Sequence, residues 1–229
     1  MKVLGRFGRN ELPEDPRDYP VAPLLERTAA TSRYWTMGGH DLRLDQGRTG
    51  TCEGNAWTEI LIDGPTTHSA FVDFATASTA EAFARQLYVD ATGDTTLQEG
   101  AHTRQVLDEL LGRGQIASYH KCASVDEVIQ TLLAHGPVGF ALPWFSSMDD
   151  VSTEYDNSYL KVYPDSGIRG YHEIALTGVN TSPPVGPPYA RLQNSWGQSW
   201  GHNGTARVLL FDLDALWLND AYTVAEVTF

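Results

Sequence analysis

The pattern of apolar residues changes at Gly136-Pro137, and that change constrains the fold more than any other feature of the sequence. Before it, apolar positions recur at helical spacing. Ala56, Trp57, Ile60 and Leu61 follow Cys52 in this way until Gly64-Pro65 stops the pattern. A box of the form Ser78-x-x-Glu81 opens a second helix with Phe83, Leu87 and Tyr88 facing inward. A third carries Val106, Leu107, Leu110 and Leu111 and ends at Gly112 or Gly114. A fourth starts at Ser124-x-x-Glu127 and buries Val128, Ile129, Leu132 and Leu133. Beyond Gly136-Pro137 the periodicity is that of strands. Residues 138–142 and 174–179 read as buried strands, while 189–193, 205–210 and 222–229 alternate. A proline-rich loop, 182–188, joins two of them, and 212–218 reads as one short helix. Helices first and strands later predict an α+β fold of two lobes meeting at an interface.

Residues 1–33 do not fit either pattern. Pro13, Pro16, Pro20 and Pro23 interrupt any helix, and charges outnumber apolar positions, so an extended arm packed along the surface of the lobes is expected. The organisation read from the sequence is therefore an arm over 1–33, a mainly helical lobe over 34–120 and a β-rich lobe over 121–229. The 229 residues are enough for one core or two lobes sharing one. Twenty-nine acidic against sixteen basic residues give a net charge of −13, which disfavours nucleic acid or an anionic membrane as partner. No apolar run approaches the length of a membrane span. The first twenty residues lack the apolar core of a secretory signal, so a mature or unexported chain is expected.

Two residue types carry candidate chemistry. Cys52 follows a glycine-bearing loop and opens a helix, where the positive end of the helix dipole favours thiolate over thiol. A buried, inert cysteine is the commoner fate, and Cys122, in the run His120-Lys121-Cys122, is assigned no role. A thiolate needs a basic partner. Of seven histidines, His172 differs because it immediately precedes the apolar strand beginning at Ile174 and would project from a rigid frame.

The segment from Gln193 to Gly204 resembles the third catalytic motif of the papain-like cysteine peptidases, KNSWGxxWGxxGY. Asn194, Ser195, Trp196, Gly197, Trp200, Gly201 and Gly204 match it with every internal spacing. Gln46-Gly47-x-x-Gly50-Thr51-Cys52 is similar to the family's QGxCGSC stretch, and Gly170-Tyr171-His172-Glu173-Ile174 to the stretch around its histidine. Shorter echoes are Leu87-Tyr88, Gly136-Pro137-Val138 and Leu12-Pro13-x-x-Pro16-Arg17-Asp18-Tyr19. The resemblance covers roughly residue 34 to the end. It implies a papain-like two-lobe fold, cysteine on a helix of one lobe, histidine and asparagine on the other. It further implies catalytic roles for Cys52, His172 and Asn194, an oxyanion hole from Gln46 and the Cys52 N–H, and a shield for the His–Asn contact from Trp196. Gly100, in Glu99-Gly100, would bind an extended peptide through its backbone, and Glu173 would line a side-chain pocket and favour Lys or Arg. No cofactor and no metal are implied.

Several positions depart from the family. Thr49 stands where a disulfide-forming cysteine is usual, which favours a cytoplasmic or virion-associated location over classical secretion. Glu53 replaces the aromatic after the nucleophile, and Glu173 the small residue after the histidine. The 51 residues before Cys52 are too few for the family's long helical inhibitory propeptide, so no ordinary zymogen is expected. Peptide hydrolysis is the leading expectation, with a peptide or protein as substrate. Acyl transfer or deamidation at the same Cys-His-Asn site is an alternative, as is a non-catalytic papain-like protein, for example one assembled into a phage particle.

Overall fold

A computed structural model describes residues 8, 15, 18–22, 28–36, 42–64 and 74–225. Twelve elements matter for the site: β1 (Ser32–Tyr34), α1 (Cys52–Asp63), α2 (Ala77–Thr92), α3 (Thr103–Gly112), β2 (Ser118–Lys121), α4 (Val125–Ala134), β3 (Val138–Phe145), β4 (Ile168–Asn180), β5 (Tyr189–Gln193), β6 (Thr205–Leu209), α5 (Leu213–Leu216) and β7 (Ala221–Ala225). The strands form one antiparallel sheet in the order β2-β7-β3-β4-β5-β6, with β1 added to β4. This is the expected α+β architecture.

Two cores flank the sheet's contribution to the cleft. One is helical, with Trp57, Ile60, Leu87, Leu107 and Leu110, and it takes in Ala175, Tyr222 and Val224 from the sheet. The other packs α4 and α5 on the strands around Phe140, Leu142, Trp144, Leu176 and Leu192. Helix α1 is buried along all but one of its residues, Ile62, as the central helix of the molecule. That is why Glu53, Asn55, Thr58, Glu59 and Asp63 lie inside with Trp57 and Ile60.

Local details correct the sequence reading. The second helix is capped two residues earlier than expected: Thr76 Oγ1 accepts from Thr79 N–H at 3.2 Å, and Thr79 Oγ1 from Thr76 N–H at 3.2 Å. Glu81, expected to close that box, instead accepts the Asp45 N–H at 2.9 Å. Leu111 is exposed rather than inward, because Leu107 and Leu110 already fill the face that α3 turns to the core. Strands β1 and β2 were not foreseen, since SRY and SYHK carry no apolar alternation; pairing with β4 and β7 makes them strands. The last strand ends at Ala225, and residues 226–229 of the expected 222–229 lie outside the described residues. Most consequential, β4 begins at Ile168, so His172 lies within the strand and not before it. Strand β3 runs on through Pro143 and Trp144, which supplies partners for the polar half of β4: Leu142 faces His172 and Ala141 faces Glu173.

Most of the expected arm, 1–33, lies outside the described residues; Gly8, Asp15 and residues 18–22 and 28–33 are described. Val21 N–H donates to Lys121 O at 2.9 Å, and Lys121 N–H to Tyr19 O at 2.7 Å, adding a short segment beside β2. Asp18 takes both carboxylate oxygens to Arg104 Nη1 at 2.9 Å, accepts from Tyr222 Oη at 2.8 Å and meets Lys121 Nζ at 3.3 Å. Those donors outweigh the cost of partial burial and hold its carboxyl below the ordinary range. Gly8, ten residues earlier in the chain, is buried, and its carbonyl accepts the Ala101 N–H at 2.6 Å.

Candidate active site

Cys52 is the first residue of α1, and the turn before it is tied down from several directions. Gln46 N–H donates to Ser195 O at 2.9 Å and Gly197 N–H to Leu44 O at 2.9 Å, joining this loop to the segment after β5. Gly50 N–H donates to Leu97 O at 2.7 Å. Thr49, where the family has its cysteine, closes the loop with its hydroxyl, donating to Gln46 O at 2.7 Å and lying 2.8 Å from Thr51 Oγ1. The Gln46 carboxamide is held at both ends: Oε1 accepts from Ser195 Oγ at 2.6 Å and Nε2 donates to Thr49 O at 2.8 Å.

The thiol itself is fully buried. Burial, then the carboxylates of Glu53 and Glu173, push it up to about 12, while hydrogen bonding from the backbone of Glu173 and Gly8 works the other way. The depressed thiol expected from the helix terminus alone is therefore not what this covered arrangement gives. Cys122 is also fully buried, 3.7 Å from Thr131 Oγ1, and behaves as a small core residue.

His172 stands on β4 next to Glu173. Its Nε2 lies 2.8 Å from Asn194 Oδ1. A carboxamide oxygen only accepts, so Nε2 carries the proton and Nδ1 is the basic nitrogen of the neutral ring. Asn194 is placed by its N–H, which donates to Gly204 O at 3.0 Å. Three indoles enclose the pair. Trp196 lies 5.2 Å from the imidazole, Trp144 meets it edge-on at 5.3 Å, and Trp200 backs both at 5.8 and 6.0 Å. Trp144 is held in turn by its Nε1–H to Asp149 Oδ1 at 2.9 Å. In so dry a setting the His–Asn hydrogen bond is stronger and the ring cannot turn freely.

The loop from Asp94 to Gly100 packs on the Cys52 loop. The Asp94 carboxylate accepts from the N–H groups of Thr96, Gln98 and Glu99 at 2.8–2.9 Å, from Thr96 Oγ1 at 2.5 Å and from Tyr88 Oη at 2.7 Å. Burial alone would raise its pKa, but these donors together hold it well below the carboxylate range. Gly100 has φ +78°, which favours glycine, and a Cβ there would stand 2.3 Å from Gly8 O.

Glu173 is 1% exposed, so it does not turn to solvent. Arg169, three residues before His172, pairs with Asp149. The Glu173 carboxylate occupies space left by Gly139, where a Cβ would lie 2.9 Å from Oε1 and 2.5 Å from the Trp57 ring. Behind the nucleophile, Glu59 is also fully buried; burial, then Asp63, raise it to about 8 against the opposing effect of Arg43, Gln193 and Leu44. No group of three or more His, Cys, Asp or Glu side chains among the described residues could hold a metal ion, and no helix among them is long and apolar enough to cross a membrane.

The structure thus gathers Gln46, Cys52, His172, Glu173, Asn194 and Trp196 at one place, with Gly100 beside the Cys52 loop. Trp144, Ser195, Asp94 and Gly8 were missed. Ser195 sits inside the recognised motif, and Trp144 could have been found by extending the strand from 138 through the aromatic pair Trp144-Phe145. Asp94 and Gly8 carry no local signal.

Comparison with known proteins agrees with this geometry. The model of the papain family cysteine protease matches residues 45–212. No curated protein matches the chain in sequence. Among solved structures, xylellain, a cysteine protease from Xylella fastidiosa, superposes with a TM-score of 0.72 at 15% identity, over 100% of this chain and 98% of that one. Procathepsin B S9 from Trypanosoma congolense gives 0.66 at 11% identity, over 97% and 87%. Digestive procathepsin L2 proteinase from the larval midgut of Tenebrio molitor gives 0.64 at 13%, over 96% and 78%. At these identities the solved structures speak to the fold, and the match over residues 45–212, most of the chain, settles membership: this protein belongs to the papain family of cysteine proteases.

Proposed function

We propose that the chain hydrolyses peptide bonds through Cys52, His172 and Asn194. The observation that carries this reading is the His172 Nε2–H to Asn194 Oδ1 bond at 2.8 Å, which leaves Nδ1 as the basic nitrogen of the ring. Nδ1 takes the thiol proton, and the thiolate adds to the substrate carbonyl carbon. The oxyanion is met by the Cys52 N–H and the Gln46 Nε2 amide, whose orientation follows from the Ser195 contact on Oε1. Nδ1–H then protonates the leaving amine as the C–N bond breaks, giving a thioester. Water, losing a proton to Nδ1, adds to the thioester; the acid leaves and the proton returns to sulfur. The substrate lies extended along Gly100, and Glu173 on its buried wall favours Lys or Arg over a bulky apolar side chain.

A peptide library varied at the residue preceding the cleaved one, read by mass spectrometry, tests both parts. Cys52→Ala is expected to abolish turnover, with hydrolysed products from the wild type. Products joined to an added amine, or deamidated glutamine, would assign acyl transfer or deamidation instead. Equal use of Leu, Phe, Lys and Arg by wild type and Glu173→Ala would remove Glu173 from specificity.

A further inference from the structure

We infer that Arg43 is a positioning residue: it clamps both ends of the Gln193–Gly204 segment and so holds Asn194 against His172. The inference rests on the peptidase reading of Cys52, His172 and Asn194. Arg43 stands on the loop before Gln46, outside the motifs that named the site. Its Nη1–H donates to Gln193 Oε1 at 3.1 Å, at the residue immediately before Asn194. Its Nε–H donates to Asn203 O at 2.8 Å, at the far end of the segment. The aliphatic stem lies against Gly204, where a Cβ would stand 2.8 Å from Arg43 Cδ. One planar group thus bonds the residue before Asn194 and the residue before Gly204, whose carbonyl accepts the Asn194 N–H at 3.0 Å.

The segment needs a brace. Its second half turns back through Gly201 at φ +55°, Asn203 at +51° and Gly204 at +77°, all in the left-handed region. A residue other than glycine persists there when its surroundings over-determine it, and the guanidinium bond to the Asn203 carbonyl is one such constraint. The bonds from Gln46 N–H to Ser195 O and from Gly197 N–H to Leu44 O hold the middle of the segment, so Arg43 adds the ends. The same guanidinium acts on α1. Burial raises Glu59 to about 8, and Arg43 and Gln193 oppose that rise about two turns along the helix from Cys52. A base works only when held within about 0.5 Å of its productive place, and Arg43 supplies part of that hold through Asn194.

The experiment follows two readouts on full chains of wild type, Arg43→Ala, Arg43→Lys and Asn194→Ala. One is peptide hydrolysis; the other is the His172 Nε2–H proton by NMR, assigned by its absence in His172→Gln. Buried and bonded to Asn194, that proton should exchange slowly in wild type and about tenfold or more faster in Arg43→Ala. The same variant should lower kcat by about tenfold and leave KM within about twofold. Arg43→Lys keeps the charge but not the fork, and should recover only part of both losses. Added to Asn194→Ala, Arg43→Ala should cost less than about twofold, because the group it acts through is gone. Losses that multiply in the double variant, or an Nε2–H signal unchanged in Arg43→Ala, overturn the inference. Faster exchange in Arg43→Ala, with no peptide hydrolysed even by wild type, upholds the clamp and removes the peptidase reading. If Arg43→Ala does not fold, Arg43→Lys decides by the same two readouts, and wild-type exchange and kcat there overturn the inference.

Discussion

His172 is held among indoles, whereas Cys52 sits among carboxylates, and the two halves of the proposed reaction centre are consequently controlled by different physics. The imidazole is oriented by packing and by one hydrogen bond to Asn194 in a dry aromatic pocket. The thiol is oriented by backbone, with Glu53, Glu173 and, further along α1, Glu59 and Asp63 buried near it. Its rise from 9.0 to about 12 is worth on the order of 4 kcal/mol. A helix N-terminus returns about 0.3–2 kcal/mol, so burial wins while the site stays covered. The lesson is that geometry is built into the His side permanently, while reactivity on the Cys side depends on what covers it.

That contrast can be broken most sharply on the His side. Asn194→Ala removes the acceptor that fixes the ring, and kcat is expected to fall by about 10²-fold or more, since a positioned general base contributes about 10²–10⁴-fold. A kcat within twofold of wild type, measured on the same peptide, would mean that the indoles alone orient His172.

The Asp94 loop offers a stability effect. Asp94→Ala leaves the Thr96, Gln98 and Glu99 N–H groups without their shared acceptor, and a loss of roughly 3 kcal/mol is expected from chemical denaturation. The same variant should raise KM more than it lowers kcat, because it loosens Gly100 and not His172. A change below about 0.5 kcal/mol would show that Tyr88 and the Cys52 loop hold this segment without Asp94.

A smaller effect sharpens the account of the acidic side. Folded chains keep Glu59 protonated up to about pH 8, while its ordinary value is 4.5. The folded state therefore binds the extra proton between those values, and stability falls as pH rises across the window. Glu59→Gln should match wild type near pH 5 and melt at a higher temperature than wild type at pH 8.5. Parallel melting curves for the two proteins from pH 5 to 8.5 would show that Glu59 does not carry this pH dependence.

Much of this was legible before any coordinates, but unevenly. The helical run before Gly136 and the strand run after it follow from periodicity, because each element buries one face and the side-chain repeat records which. The Asn194–Gly204 motif and the Gln46–Cys52 spacing named the site residues without showing their contacts. Helix α1 was read from four apolar residues, yet its acids are buried as deeply as Trp57, since a helix enclosed on every side has no polar face to display. Strand β4 was read too short because its first half, Ile168 to Glu173, is polar and becomes strand only by pairing with an extended β3.

The sequence by itself determined the fold class, the chemical identity of the site and the absence of a cysteine at position 49, since these reside in residue type and local spacing. Tertiary structure alone decided which ring nitrogen of His172 faces Asn194, that Trp144 encloses it, that Asp94 holds the loop packed on Gly50, and that Gly8 meets Ala101. Each of these joins residues from separate elements, and Gly8 meets Ala101 from 93 positions away in the chain. Such contacts form only when the whole chain is folded, and no local pattern of side chains encodes them.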